Sequence, residues 1–420
     1  MKTRFTILLL CAFTLAVRAQ DAVTTMAGMA QVSGTTNGTG TNALFGDPAG
    51  IVADSTGNLF VADSLNDVIR KITTNGVVTT FAGLAGITGT ADGTGSGARF
   101  NAPSGMAFDR NGNLYVSDTG NNTIRKITPA GVVSTFAGVA GNGGYADGTA
   151  GSALFNSPLG LAITTNGTVY VADSGNHCLR MVFGGNVTTF AGSPQVWGSA
   201  NGAGTNAQFN GPVSVAFDAR GNLFVSDANN DTIRKVTTNA IVTTFAGAPG
   251  QDGSADGPVA AARFRSPAGL AFDLQGNLFI ADSFNQTLRE ISTNGSVTTV
   301  SGTAGISGPT DGINGAGKFF NPYGLVMAAD GSLLVADTYN ETIRQVLVPF
   351  KLSLSTGGTA HTTTISWATV IGQTYQVQSS SNLTAGWANL GAAMVATNLT
   401  LSITDSSAGA SRLYRVLRVD

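Results

Sequence analysis

A single motif recurs six times at a fixed interval, and it constrains the fold more than any other feature. The pattern Phe-x-x-Pro places prolines at Pro48, Pro103, Pro158, Pro212, Pro267 and Pro322, spaced 55, 55, 54, 55 and 55 residues apart. The shorter interval loses its residue between Arg180 and Phe190. Self-similarity at this period marks a repeat architecture in which each copy is one supersecondary unit.

The second copy shows the unit in full. Gly105–Asp109 reads as a short strand and Arg110-Asn-Gly112 as a tight turn. Asn113–Asp118 is a second strand, Thr119–Asn121 a loop and Thr123–Ile127 a third strand. Pro129–Gly131 turns the chain into a fourth, Val132–Phe136. Four short antiparallel strands per copy make one propeller blade. The 56 glycines therefore read as turn residues, because 42% hydrophobic content is ample for a core.

The fourth-strand signature, close to Val-Thr-Thr-Phe-Ala-Gly, ends at Gly83, Gly138, Gly192, Gly247 and Gly302. The sixth copy lacks it and runs into Val348-Pro349. Val23-Thr-Thr-Met-Ala-Gly28 stands ahead of the first copy and supplies the missing piece. The expected fold is an all-β, six-bladed β-propeller over residues 20–348, with the N-terminal strand closing the last blade. Closure removes the open sheet edges of a linear array.

The repeat Phe-x-x-Pro-x-Gly-(apolar)-Ala-x-Asp-x-x-Gly-Asn-Leu-Phe/Tyr-Val-Ala/Ser-Asp-x-x-Asn-x-x-Ile-Arg-Lys-Ile resembles the NHL repeat of bacterial secreted proteins. The resemblance spans all six copies and implies the propeller fold. It does not imply one activity, since relatives include enzymes, sensor domains and RNA-binding modules.

The flanks differ. Lys2 and Arg4, an apolar run from Phe5 to Val17 and Val17-Arg18-Ala19 read as a secretory signal peptide over residues 1–19. Cleavage removes three bases, taking the formal charge from −2 to −5, and leaves Cys178 as the single cysteine. No intramolecular disulfide is then available, and no later apolar run is long enough to span a membrane. Residues 349–420 lack the repeat. Thr363–Trp367, Thr374–Ser379, Leu399–Ile403 and Arg412–Val416 alternate like strands. This tail resembles a small fibronectin-type-III-like, β-sandwich-like module, with Trp367 and Trp387 as aromatic anchors for its core. A secreted, periplasmic or cell-surface location follows from the signal.

Each copy pairs an acid with a base at constant distance: Asp63, Asp118, Asp173, Asp227, Asp282 and Asp337 with Arg70, Arg125, Arg180, Arg234, Arg289 and Arg344. Sixfold repetition reads as structural charge-assisted pairs, because a catalytic site needs different groups in different places. Each copy also has an eighteen-residue connection into its first strand, with Asx-Gly nine residues after its first glycine. Uniform length argues for ordered, self-packed loops. Calcium at these loops is the alternative to no cofactor, but the alternating Asp-x-Asp ligand pattern is absent.

The long loops and the Asp-x-x-Asn loops leave from one face. Phe284, Tyr323 and Tyr339 occupy non-repeating positions there in copies five and six, and Tyr145 and Trp197 decorate two long loops. These five are the candidate ligand-binding residues. Cys178 replaces a threonine of other copies and reads as a small buried substitute, and His177 points to the opposite side of the strand if both lie in one. Some relatives of the resembled family are lyases or calcium-dependent lactonases with a central-channel metal. Here the chain has only two histidines, His177 and His361, and two glutamates, Glu290 and Glu341, while first-strand positions are apolar or small. No catalytic residues and no metal ligands are assigned. An acidic mature chain argues against a nucleic-acid partner. The remaining expectation is a non-catalytic binding or scaffolding protein for a protein, glycan or small ligand. The alternative is a calcium-dependent hydrolase or lyase.

Overall fold

The computed structural model describes residues 22–313, 315–348, 352–356, 362–369, 372–380, 386–398, 400–406 and 413–419. The signal-peptide segment and His361 lie outside the described residues. The chain divides into two compact units, one formed by Asp21–Val348 and one that includes Pro349–Asp420.

The first unit is a ring of six antiparallel sheets, numbered here as blades one to six by the prolines above. In blade two the strands are Pro103–Phe108, Leu114–Asp118, Thr123–Ile127 and Val132–Ala137, in spatial order from the inside outward. Blade six takes its outermost full strand from Ala22–Ala27, which pairs with Thr342–Leu347. The inner strands touch in sequence order, and the sixth touches the first, so the ring is closed.

Each sheet has one strand more than the four expected. Two residues of each long loop, such as Gly93–Thr94, pair with the outer strand of the blade they introduce, here at Val132–Val133. The loops are therefore built into the blades.

The Pro-x-Gly signature has a packing cause. A Cβ on Gly50 would lie 2.1 Å from the Ser104 carbonyl of the next blade, and one on Gly105 would lie 2.1 Å from that of Leu159. Inner strands approach so closely around the ring that this position excludes side chains; blade four alone departs, with Ser214. Between blades, apolar second-strand and outer-strand residues face the next blade's inner strand. The Phe60, Phe81 and Phe108 rings meet edge to face at 5.0 and 5.2 Å. Phe45, Phe100, Phe155, Phe209, Phe264 and Phe319 are fully buried, each contributing about 2–3 kcal/mol of apolar transfer.

The second unit contains a three-stranded sheet of Leu352–Thr356, Thr363–Ala368 and Thr400–Asp405. A second sheet is organised around Thr374–Ser380, which pairs with Leu413–Val419. Ile365 and Trp367 from the first sheet share one core with Tyr375, Val377, Tyr414 and Val416 from the second, giving a small sandwich-like domain. Trp367 is core, as its alternating strand position requires.

Candidate functional site

The loop face is built on a hub that repeats in every blade. In blade two, Arg125 Nη1 donates to Asp118 at 2.8 Å and to the Arg99 carbonyl at 2.9 Å. Its Nη2 donates to the Ala91 carbonyl and, at 2.7 Å, to Asp92. The guanidinium lies 5.3 Å above the Phe100 ring. Asp118 also accepts from the Asn101 N–H and from Asn121 Nδ2. One hub thus joins Phe-x-x-Pro, the Asp-x-x-Asn turn and the Asx-Gly of the long loop. The six pairs run from Asp63–Arg70 to Asp337–Arg344 at 2.7–2.8 Å, all within one blade and all buried. Burial pushes Asp63, Asp227, Asp282 and Asp337 up to about 6.

A second set of six contacts crosses the seams between blades. The residue after each Asp-x-x-Asn turn has a left-handed backbone, and its side chain accepts from the N–H of the residue before the next blade's proline. Asp67, Asn122, His177, Asp231, Gln286 and Glu341 cap Ala102, Ser157, Gly211, Ser266, Asn321 and Asp47 at 2.6–3.1 Å. His177 accepts through Nδ1, so its proton is on Nε2, and burial holds the imidazole below its ordinary value. His177 therefore stands before the strand in a seam, rather than within the strand opposite Cys178. The Cys178 thiol is buried and pushed up by burial.

The five candidate ligand residues do not form one patch. Tyr145 packs on its own blade, with its ring 4.9 Å from the Arg180 guanidinium and its hydroxyl 2.9 Å from Thr189 Oγ1. The hub cation offers that ring a better partner than water. Tyr323 is half-buried at the central channel, where its hydroxyl bonds Ser104 of blade two and burial pushes it up to about 12. Its place at the start of an inner strand aims it inward. Trp197 is 69% exposed on the loop that joins blades three and four, across the ring from blades six and one. Phe284 and Tyr339 remain exposed on the loops of adjacent blades.

Those two belong to a larger apolar surface, which two positions per blade define. The residue two after the hub aspartate is Leu65, Phe284 and Tyr339 in blades one, five and six, but Gly120, Gly175 and Asn229 in blades two to four. The fourth loop residue after the outer strand's glycine lies over the same blade, because the preceding N–H donates to the turn Asn carbonyl, as Gly86 does to Asn66. It is Ile87, Ile306 and Val32 over blades one, five and six, but Asn142, Val196 and Gln251 over two to four. All six residues on blades five, six and one are 40–60% exposed. An exposed apolar crescent thus covers one half of the loop face. The second position carries the same signal in the sequence, but only once the loops are aligned by copy.

The central channel is a cavity of about 210 Å³ whose polar side chains are Ser104, Ser214 and Tyr323. It has no carboxylate or imidazole to bind calcium or to act as acid and base, so these residues do not fit a metal or a hydrolytic centre. Among the described residues, no three His, Cys, Asp or Glu are grouped to hold a metal ion. Two aromatic-floored grooves open among the turns at the opposite end of the strands, one of about 420 Å³ over Phe60, Phe81 and Phe108 and one of about 410 Å³ over Tyr170, Phe190 and Phe217.

The ring and its hubs define a closed six-bladed β-propeller. Two of its repeats, residues 100–127 and 155–180, match the family model for the NHL repeat. The chain is 30% identical over 319 residues to Protein SUPPRESSOR OF QUENCHING 1, chloroplastic, of Arabidopsis thaliana, covering 71% of this chain and 30% of that protein. It is 29% identical over 334 residues to NHL repeat-containing protein 2 of Homo sapiens, covering 71% and 46%. The chain thus spans less than half the length of these relatives. Among solved structures, a Bacteroides thetaiotaomicron protein of unknown function superposes with a TM-score of 0.62 at 23% identity, covering 79% of this chain and 76% of the other. An auxiliary nutrient binding protein from the same species superposes with a TM-score of 0.61 at 14% identity, with the same coverages. These likenesses show the shared fold.

Proposed function

We infer that this protein is a non-catalytic binding or scaffolding protein that presents the long-loop face of its propeller to a ligand. One observation carries the reading: two equivalent loop positions place six exposed apolar side chains on the adjacent blades five, six and one, where the same positions of the other three blades hold a single one, Val196. Equivalent blades gain nothing in stability from exposing apolar groups on three neighbours, and exposed apolar patches of this kind mark interaction sites. The channel supports the same reading, because its lining supplies no acid–base pair. A solved neighbour carries the description nutrient binding protein, which is compatible with a ligand partner. Residues 1–19 act as a secretion signal in this proposal, placing the propeller in the periplasm, at the cell surface or outside the cell. The C-terminal sandwich then serves as a fibronectin-type-III-like spacer or attachment module.

The test is a binding panel of peptides and glycans against the full chain and its Leu65→Ser/Phe284→Ser/Tyr339→Ser variant. Specific binders should lose at least about tenfold in affinity while the melting temperature is unchanged. Binders unaffected by the three substitutions would remove the proposed site. Hydrolysis or elimination of a bound ligand by the purified chain would favour the enzyme instead.

A further inference from the structure

We propose that the apolar crescent over blades five, six and one docks a peptide segment that carries a lysine or arginine between apolar side chains, its cation seated on Asp47 and Glu341. The proposal rests on the binding reading above and adds the chemical class of the ligand.

The two carboxyl groups sit in the middle of the crescent. Glu341 lies two residues after Tyr339, in the left-handed position that ends the same turn. Its carboxylate accepts from the Asp47 N–H at 2.6 Å. Leu65 donates its N–H to the Gly46 carbonyl, which fixes Leu65 beside Asp47. The pair therefore bridges the seam between the exposed Tyr339 of blade six and the exposed Leu65 of blade one.

This seam differs from the other five. The corresponding pairs are Asp67 and Ala102, Asn122 and Ser157, His177 and Gly211, Asp231 and Ser266, and Gln286 and Asn321. Only the closing seam places a carboxyl group on both sides. Arg70, the base of the blade-one hub, is engaged by Asp63, whose charge adds to that of Asp47 at Glu341. Burial pushes Glu341 up to about 7 and raises Asp47. Farther along the crescent, the exposed Arg265 beside Phe284 already has Asp252 at 3.4 Å. The closing seam is thus the place where the crescent sets two carboxyl groups together with no ion pair to either among the described residues.

The chemistry selects the occupant. A small cation leaves the six apolar side chains in water. An acidic ligand meets two carboxylates at the centre of its site, and a neutral glycan brings no counter-charge. A segment with apolar residues on both sides of one cation satisfies both features. The arc also runs across three blades, a length that suits a chain.

The probe is a fluorescent peptide of alternating leucine and lysine, titrated into the full chain by anisotropy. Leucine–glutamate and serine–lysine peptides serve as controls. The leucine–lysine peptide should bind and both controls should not. Glu341→Gln with Asp47→Asn should weaken it by about tenfold or more. This double variant keeps the seam, because Gln286 holds the equivalent bond to Asn321 and asparagine tolerates the left-handed backbone. The Leu65→Ser/Phe284→Ser/Tyr339→Ser variant should abolish binding. Equal binding of the leucine–glutamate peptide, or indifference to Glu341→Gln/Asp47→Asn, would overturn the proposal. So would a dimer that the serine variant dissociates. A glycan that binds and is lost with the serine variant would also overturn it, yet leave the binding reading standing.

Discussion

Glu341 accepts a hydrogen bond from the backbone N–H of Asp47 at 2.6 Å, across the seam where the last blade meets the first. The same seam is completed by Ala22–Ala27, whose register against Thr342–Leu347 closes the ring. The contact is one of six, but it alone sets a carboxyl against a carboxyl. Glu341→Ala leaves the Asp47 N–H without its acceptor and should cost about 1–3 kcal/mol. Glu341→Gln should restore most of that loss. The folded-state value near 7 lies above the ordinary 4.5, so the group's stabilisation is complete below about pH 4.5 and is lost as pH rises through 7. Thermal melts at pH 5 and pH 8 should therefore show Glu341→Gln gaining on the natural protein at the higher pH.

His177 has the opposite sign. Its Nδ1 must stay unprotonated to accept from Gly211 at 3.1 Å, and burial lowers its value from 6.5. Its contribution is present above pH 6.5 and is lost as pH falls toward the folded value. His177→Asn copies the Asn122 seam and should remove this acid sensitivity, as melts between pH 7 and pH 5 will read.

The hub arginines demand their fork. Arg125 uses both terminal nitrogens on four oxygens and lies over Phe100. Lysine cannot reach both sides from one nitrogen. Arg125→Lys should destabilise the propeller by about 3 kcal/mol, because Asp118 stays buried with its pairing broken. Denaturant unfolding of the single variant measures this.

Four buried threonines carry hydroxyls with no partner: Thr123, Thr232, Thr287 and Thr342. Val68 fills the same position in blade one and Cys178 in blade three. Each Thr→Val change removes an unsatisfied buried polar group at constant shape and should stabilise by about 1 kcal/mol. A double Thr123→Val/Thr232→Val variant should show the sum in its unfolding midpoint.

The parts of this fold that were legible from the sequence are the parts that keep one residue type in every copy. Phe45 and its five equivalents, the prolines, and the Asp–Arg pairs repeat because one hub geometry needs one chemistry. The N-terminal strand was legible because Val23–Gly28 copies a signature that the sixth copy lacks. The seam residues escaped because the seam needs only a hydrogen-bond acceptor. Asp67, Asn122, His177, Asp231, Gln286 and Glu341 all meet that need, so no one residue type is kept. The two-residue fifth strands escaped because pairs such as Gly93–Thr94 are too short to show alternation. Tyr145 and Tyr323 were expected on the open face since a loop sequence does not state where a ring points. Arg180 draws one inward and the inner-strand register aims the other at the channel. The crescent was half legible, because its inner positions hold Leu65, Phe284 and Tyr339 while its outer ones emerge only when the loops are overlaid.

Where a ligand touches the ring decides whether the crescent is the binding surface. Hydrogen exchange of the full chain, with and without the tightest binder from the peptide and glycan panel, will map that contact. Protection should fall on the Asp-x-x-Asn turns and long-loop segments of blades five, six and one, around Phe284, Tyr339 and Leu65. Protection confined to the inner strands around Tyr323, to blades two to four, or to the grooves over Phe60 and Tyr170 would contradict it.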